Sequence, residues 1–317
     1  MTPFSTVVES LLMLVALVLC ALWLKWRGVI SSEARAIFAR LVTDFALPAL
    51  IVENLARRSF DFRNLLPAGI MLGSICVCLL LGWLIGRRLG LDRSKLGAFV
   101  IVAGFGSSAS LGYALVRQIM GDNPGALNNA LITGEFGSTL PFFVIGVAIA
   151  VHFAGQTSPA AGRWTASLLF FRSPIFLALV VGLALSFLRL PETNPVVGFL
   201  YRVLGIIGGS LETTVAIAIA LMLKPIRVRE FLPLILVIAG IKLIVEPLLA
   251  FAGAHAFGLT QVQVIVLVIE AGMPSGTIAT VVAARYGLDG ALASSITIAT
   301  YVLCLVTLPL IFWLTIW

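Results

Sequence analysis

Ten apolar stretches recur along the chain, separated by short breaks rich in charge, proline and glycine. They lie near residues 6–25, 36–56, 66–86, 96–119, 126–151, 173–188, 196–223, 231–254, 261–284 and 291–316. The hydrocarbon core of a bilayer, about 30 Å thick, is crossed by roughly 20 helical residues. Lipid offers no water to the backbone, so a spanning segment must satisfy its own N–H and C=O groups as a helix or as part of a closed barrel. Barrel strands alternate polar and apolar residues, whereas these stretches are apolar throughout. With 60% hydrophobic and 11% charged residues among 317, too little polar side chain remains to cover a water-facing surface. The expected fold class is therefore all-α integral membrane, with ten transmembrane helices.

Composition also excludes several function classes. The net charge of +7 comes from Lys and Arg lying mostly between the apolar stretches, with no basic stripe interleaved with aromatics, so nucleic acid is not an expected partner. Cys20, Cys76, Cys78 and Cys304 all sit inside apolar stretches, which argues against a disulfide framework or a metal cluster. His152 and His255 are far apart and form no zinc-protease motif. Neither paired catalytic aspartates nor a Ser/His arrangement is present, so the chain is read as a non-enzyme without cofactor or metal. The first stretch lacks a basic leader and is followed by Lys25 and Arg27, so it reads as a retained helix.

The longest polar connection, His152 to Arg172, separates two sets of five spans. Sliding the first set forward by 168 residues lays Ala103-Gly104 on Ala271-Gly272, Ser107 on Ser275, Thr139-Leu140-Pro141 on Thr307-Leu308-Pro309, and Asp44 on Glu212. The same offset superposes the span pattern, the mark of an internal duplication. Because five is odd, the two copies take opposite orientations, the inverted repeat of many secondary transporters. The expected organisation is thus 1–151 as the first repeat, 152–172 as a cytoplasmic linker and 173–317 as the second repeat. Odd-numbered connections hold 14 Lys and Arg residues and even-numbered ones 6, which sets the odd connections in the cytoplasm and both termini outside.

Two spans are interrupted at matching positions, span four by Gly104-Phe105-Gly106-Ser107-Ser108-Ala109-Ser110 and span nine by Gly272-Met273-Pro274-Ser275-Gly276-Thr277. Glycine admits unusual dihedrals and proline removes a donor, so each helix unwinds there provided the freed groups line a cavity or are buried in protein. Paired interruptions point to a binding site at the membrane midplane. A half-helix starting near Ser108 or Thr277 presents an N-terminus worth roughly half a positive charge, which suits a carboxylate. The candidate substrate-binding residues are Gly104, Ser107, Ser108, Ser110, Pro274, Ser275, Gly276 and Thr277. The competing reading is that small residues there allow close packing while the hydroxyls bond back to carbonyls. Charged residues within spans are costly in lipid, which makes Asp44, Glu135, Glu212, Lys242, Glu246 and Glu270 candidates for ion or proton coupling. Lys242 and Glu246, four apart on one helix face, can instead neutralise each other.

Met273-Pro274-Ser275-Gly276-Thr277, then Ala283-Ala284-Arg285-Tyr286-Gly287, Leu292-Ala293-Ser294-Ser295 and Thr307-Leu308-Pro309 together resemble the C-terminal end of the auxin efflux carrier family. Leu47-Pro48-Ala49-Leu50, Arg172-Ser173-Pro174, and Lys242 with Pro247 extend the resemblance over nearly the whole chain. The resemblance implies inverted five-helix repeats whose broken helices four and nine cross. It also implies a scaffold of spans one, two, six and seven beside a moving unit of the other six, commonly as a homodimer. Members export carboxylated organic anions, and bacterial ones include malate and malonate permeases, which suggests a bacterial inner-membrane location. Where the family often carries asparagine at each crossover, this chain has Ser107 and Ile278, and Ala114 replaces a frequent proline. The expected function is an efflux carrier for a small mono- or dicarboxylate working by alternating access, with small organic anion, lipid and H+ or Na+ as partners. The alternative is a sodium- or proton-coupled uptake symporter of the related bile-acid type.

Overall fold

The computed structural model describes residues 3–57, 65–120, 123–154, 174–188, 190–222 and 230–316, and among these all regular structure is helical. The helices are α1 (Pro3–Trp26), α2 (Arg35–Leu41), α3 (Leu47–Ala56), α4 (Leu65–Arg88), α5 (Arg93–Gly104), α6 (Tyr113–Met120), α7 (Pro124–Ile132), α8 (Val147–Phe153), α9 (Pro174–Leu188) and α10 (Pro195–Gly209). They continue as α11 (Leu211–Met222), α12 (Leu232–Gly240), α13 (Glu246–Ala256), α14 (Gln261–Ala271), α15 (Thr277–Arg285) and α16 (Gly290–Ile316). Among the described residues, four continuous helical runs, Leu65–Arg88, Asn128–Phe153, Leu232–Ala256 and Gly290–Thr315, are long and apolar enough to cross a membrane. Wider π-type turns join α2 to α3, α7 to α8 and α12 to α13, so each of these pairs runs on as one rod. Most of the connection expected at 152–172 lies outside the described residues.

Local chemistry explains where the helices begin and end. Asn123 and Asn194 precede Pro124 and Pro195, and each asparagine carbonyl accepts from the first free helical amides. The junctions α4–α5 and α13–α14, 168 residues apart, are built alike. Gly90 (φ 66°) and Gly258 (φ 64°) end the first helix of each pair in the left-handed region. The next amide, of Leu91 or Leu259, then turns back onto the carbonyl of Gly86 or Ala254. Asp92 caps α5 through the Lys95 amide, and Thr260 with Gln263 forms a capping box on α14.

The stretch expected as a single span at 196–223 is divided into α10 and α11. Gly208-Gly209-Ser210 supplies the reason: the glycines loosen the helix, and the Ser210 amide and hydroxyl both donate to the Ile207 carbonyl. Helix contacts set α3 against α9 and α10, and α11 against α1 and α2, as one group, and α4, α5, α12, α13, α14 and α16 together as a second; α1 also packs on α16 and α11 on α15, which joins the two. The second group holds most of the main core, from Met71 and Ile75 through Phe99 and Ile101 to Leu267 and Ile296. Outward-facing Leu80, Leu84, Ile206, Leu236, Ile244, Val306 and Leu310 stay exposed, as a lipid-facing surface requires.

Candidate functional site

The two interrupted helices meet at their breaks. After α5, Phe105 adopts an extended conformation (φ −101°, ψ 124°), and after α14 the chain passes through Pro274 to Gly276, also extended (φ −65°, ψ 128°). There Gly106 and Ser275 form an antiparallel bridge. The Ser107 amide donates to the Pro274 carbonyl at 2.9 Å and the Gly276 amide to the Phe105 carbonyl at 2.8 Å. Each break thereby satisfies the groups that the other has freed, which is what permits unwound backbone away from water.

The hydroxyls expected at the breaks divide into two kinds. Ser275 Oγ donates to the Val102 carbonyl (2.8 Å) and Ser108 Oγ to the Glu270 carbonyl (3.1 Å), so both are spent tying one broken helix to the other. Ser107 Oγ accepts from Tyr301 (2.7 Å) yet still borders open space, as does Thr277. Gly104 is packed against Leu79 at the end of α5, and Pro274 contributes its carbonyl to the bridge. The side chain of Ser110 lies outside the described residues. Span ten supplies partners that the sequence did not announce: Thr300 Oγ1 accepts from the Ser275 amide (3.2 Å), and Tyr301 holds Ser107. A lone tyrosine amid apolar residues was the available signal for Tyr301.

A cleft opens beside the bridge. Its walls combine Leu50 and Ile51 of α3 and Leu211 of α11 with Phe105, Gly106, Ser107, Glu135, Ser138, Thr139, Phe142, Phe143 and Gly276 to Ala279. It therefore lies between the two helix groups. Phe142 stands edge-on to both Phe105 and Phe143, with centroids 5.1 and 5.2 Å apart, and forms an apolar wall. The first residues of α15 face this space, and no side chain caps that helix end. Its uncapped amides and the helix dipole make the polar end of the cleft attractive to a carboxylate. Among the described residues, no Lys, Arg or His lines the cleft.

Behind the bridge lies a buried charge cluster. Lys242 and Glu246 are wholly inaccessible and paired at 2.5 Å. The Lys242 ammonium presses against the crossover: a Cβ on Gly106 would fall 2.7 Å from Nζ. Glu270 is equally inaccessible, and neither carboxylate oxygen has a hydrogen-bond partner among the described residues. Residue 112 beside it is glycine, and a Cβ there would lie 2.4 Å from Oε2. Asp44, by contrast, is exposed and accepts from Arg285 at 2.7 Å, a pair that links the turn between α2 and α3 to the end of α15. Beside it, burial pushes the Tyr286 hydroxyl above its ordinary value. Glu212 belongs to α11, with its side chain outside the described residues.

Comparison with known proteins adds an independent line. The sequence profile of a family described as membrane transport protein matches residues 6–156 and 165–312. The chain is 28% identical over 312 residues to an uncharacterized transporter of Methanothermobacter thermautotrophicus, covering 95% of this chain and 96% of the relative. It is 23% identical over 298 residues to an uncharacterized transporter of Methanocaldococcus jannaschii, covering 92% and 94%.

Proposed function

The chain belongs to the membrane transport protein family, that of the auxin efflux carriers, and on that premise we propose that it is a secondary transporter of a small carboxylated organic anion. The observation that carries this reading is the uncapped start of α15, with Thr277 and Ser107, facing an apolar cleft between two helix groups. A carboxylate lodged there meets amide donors and the positive end of a dipole, with no arginine or lysine on the cleft wall among the described residues. Alternating access then consists of one helix group shifting against the other so that the cleft opens to the opposite side. The matched caps at Gly90–Asp92 and Gly258–Thr260 support residues 1–151 and 173–317 as inverted repeats joined by a cytoplasmic linker. In this reading both termini face outside, ten spans cross the membrane, and the working unit is a homodimer. Outward movement of an anion from a negative-inside cell is favoured by about 2.3 kcal/mol per charge per 100 mV, so export needs no coupling ion.

A second reading, uptake coupled to H+ or Na+, is favoured by one specific observation: the inaccessible carboxylate of Glu270, which has no hydrogen-bond partner among the described residues and lies shortly before the bridge. Transport currents from purified protein on a solid-supported membrane separate the two. A saturable current that appears with carboxylates, ignores sodium and vanishes in Pro274→Ala and Thr277→Leu supports the carrier reading. Sodium-dependent current shifts the function to coupled uptake, and unchanged current in both variants moves the site away from the crossover.

A further inference from the structure

We infer that Asp44 and Arg285 form a gate that shuts the cleft at one end. This rests on the alternating-access reading above and gives that motion a point at which it is held. Two rods run side by side here in opposite directions. One is α2 and α3 with the turn Val42–Ala46 between them, and it carries Asp44 in the turn and Leu50 and Ile51 further on. The other is α15, where the order is reversed: Thr277, Ile278 and Ala279 come at the start and Arg285 at the end. Leu50 and Ile51 share the cleft with Thr277 to Ala279, while Asp44 Oδ1 accepts from Arg285 Nη1 at 2.7 Å. Asp44 precedes Leu50 by six positions and Arg285 follows Ala279 by six. At 1.5 Å per helical residue that is about 9 Å along each rod. The cleft thus lies between the rods at one level, and the ion pair joins them nearly two turns away.

The partners stand on elements that alternating access would separate. The rod bearing Asp44 packs with α9, α10 and α11, whereas α15 follows the bridge and packs on α5 and α16 as well as touching α2 and α11. A shift of the crossover along α3 therefore draws Arg285 away from Asp44. The helix end that meets the carboxylate and the arginine that holds the gate travel together, because both belong to one helix of nine residues. The pair also suits a contact that breaks in every cycle. Each side chain is 37% exposed, so water screens the attraction and solvates the two charges when they part. Lys242 and Glu246 make the opposite case: with no exposure, neither can be left alone without stranding a charge in a dry interior. An exposed pair shifts an equilibrium by about two- to fivefold, enough to favour the closed end and too little to lock it. Arg285 falls in an odd-numbered connection, so in the topology proposed above the gate faces the cytoplasm.

The test is access to the cleft from each face of the membrane. Leu50→Cys, in the full-length chain with the exposed Cys20 and Cys76 replaced by alanine, is reacted with a membrane-impermeant maleimide in intact cells and in inverted membrane vesicles. The face from which Arg285→Cys reacts in a companion protein is the gate face. Asp44→Asn and Arg285→Gln should each raise the labelling rate of Leu50→Cys from the gate face by about two- to fivefold, without raising it from the opposite face. Asp44→Arg combined with Arg285→Asp rebuilds the pair and should bring the rate back towards that of Leu50→Cys alone. Unchanged rates in both single variants overturn the proposal. A rise from both faces does so too, since it marks general loosening, as does an exchanged pair whose rate stays high. In each of these outcomes, labelling of Leu50→Cys from both faces leaves alternating access standing. If Leu50→Cys reacts from one face alone, or from neither, in every variant, the alternating-access reading fails and the gate fails with it.

Discussion

The breaks in spans four and nine occupy equivalent positions in the two halves, yet they have been put to different uses. At the first, small residues supply room: Gly106 leaves space for the Lys242 ammonium and Gly112 for the Glu270 carboxylate. At the second, Pro274 and Gly276 shape the backbone, and the helix that follows turns an uncapped end toward the cleft. The charged side chains that the first break accommodates both come from the second half of the chain. An arrangement repeated in outline has thus been made asymmetric in chemistry, one copy supplying space and the other charge and donors.

The largest expected effect comes from removing the charge that the first break accommodates. Lys242→Met leaves Glu246 uncompensated in a dry interior and should lower stability by about 3–5 kcal/mol. Thermal unfolding of the purified protein would register the loss, and Lys242→Met combined with Glu246→Leu should recover most of it. If the double variant is no more stable than the single one, the pair does more than neutralise itself.

A smaller effect should sharpen the difference between the two serines. Ser275→Ala removes the tie to the Val102 carbonyl and should cost about 1 kcal/mol in the same unfolding assay. Ser107→Ala alters the cleft wall and should change substrate affinity more than stability, as binding measurements on the two variants will compare. Equal effects on both quantities would make the serines alike and weaken the distinction between tie and cleft.

The smallest effect concerns the matched junctions. The backbone amide of Lys95, the largest influence, holds the Asp92 carboxyl below its ordinary value. A depressed value means that the cap's contribution is full above the ordinary carboxylate range and is lost as pH falls through the folded-state value. Thr260 does not titrate, so acid should lower the hydrogen-exchange protection factor, the rate relative to the unstructured amide at the same pH, at Lys95 and leave that at Gln263 comparatively unchanged. A parallel fall in both protection factors would show that the junctions open for a reason other than the Asp92 cap.

Much of the site was legible in the chain because its logic is one of exclusion. Gly104 to Ser110 and Gly272 to Thr277 interrupt apolar helices, and lipid tolerates such interruptions only where they have partners. Lys242 and Glu246 at helical spacing announced an ion pair, found at 2.5 Å. The division of labour among hydroxyls was not legible. Ser275 and Ser107 occupy matching positions, and only the crossing angle and depth of the two helices decide that one reaches Val102 while the other meets Tyr301 and the cleft. Asp44 sits among apolar neighbours in the sequence, yet it is exposed and paired with Arg285, a residue 241 positions away.

What the sequence determined by itself was the solvent, the helical class and the pair of breaks, since these follow from backbone groups that cannot be left unsatisfied in hydrocarbon. What only the tertiary structure decided was which polar atoms are consumed in holding the crossover together and which remain facing the cleft. That partition depends on side chains meeting across more than a hundred residues of chain, at distances of about 3 Å. No local pattern encodes such distances.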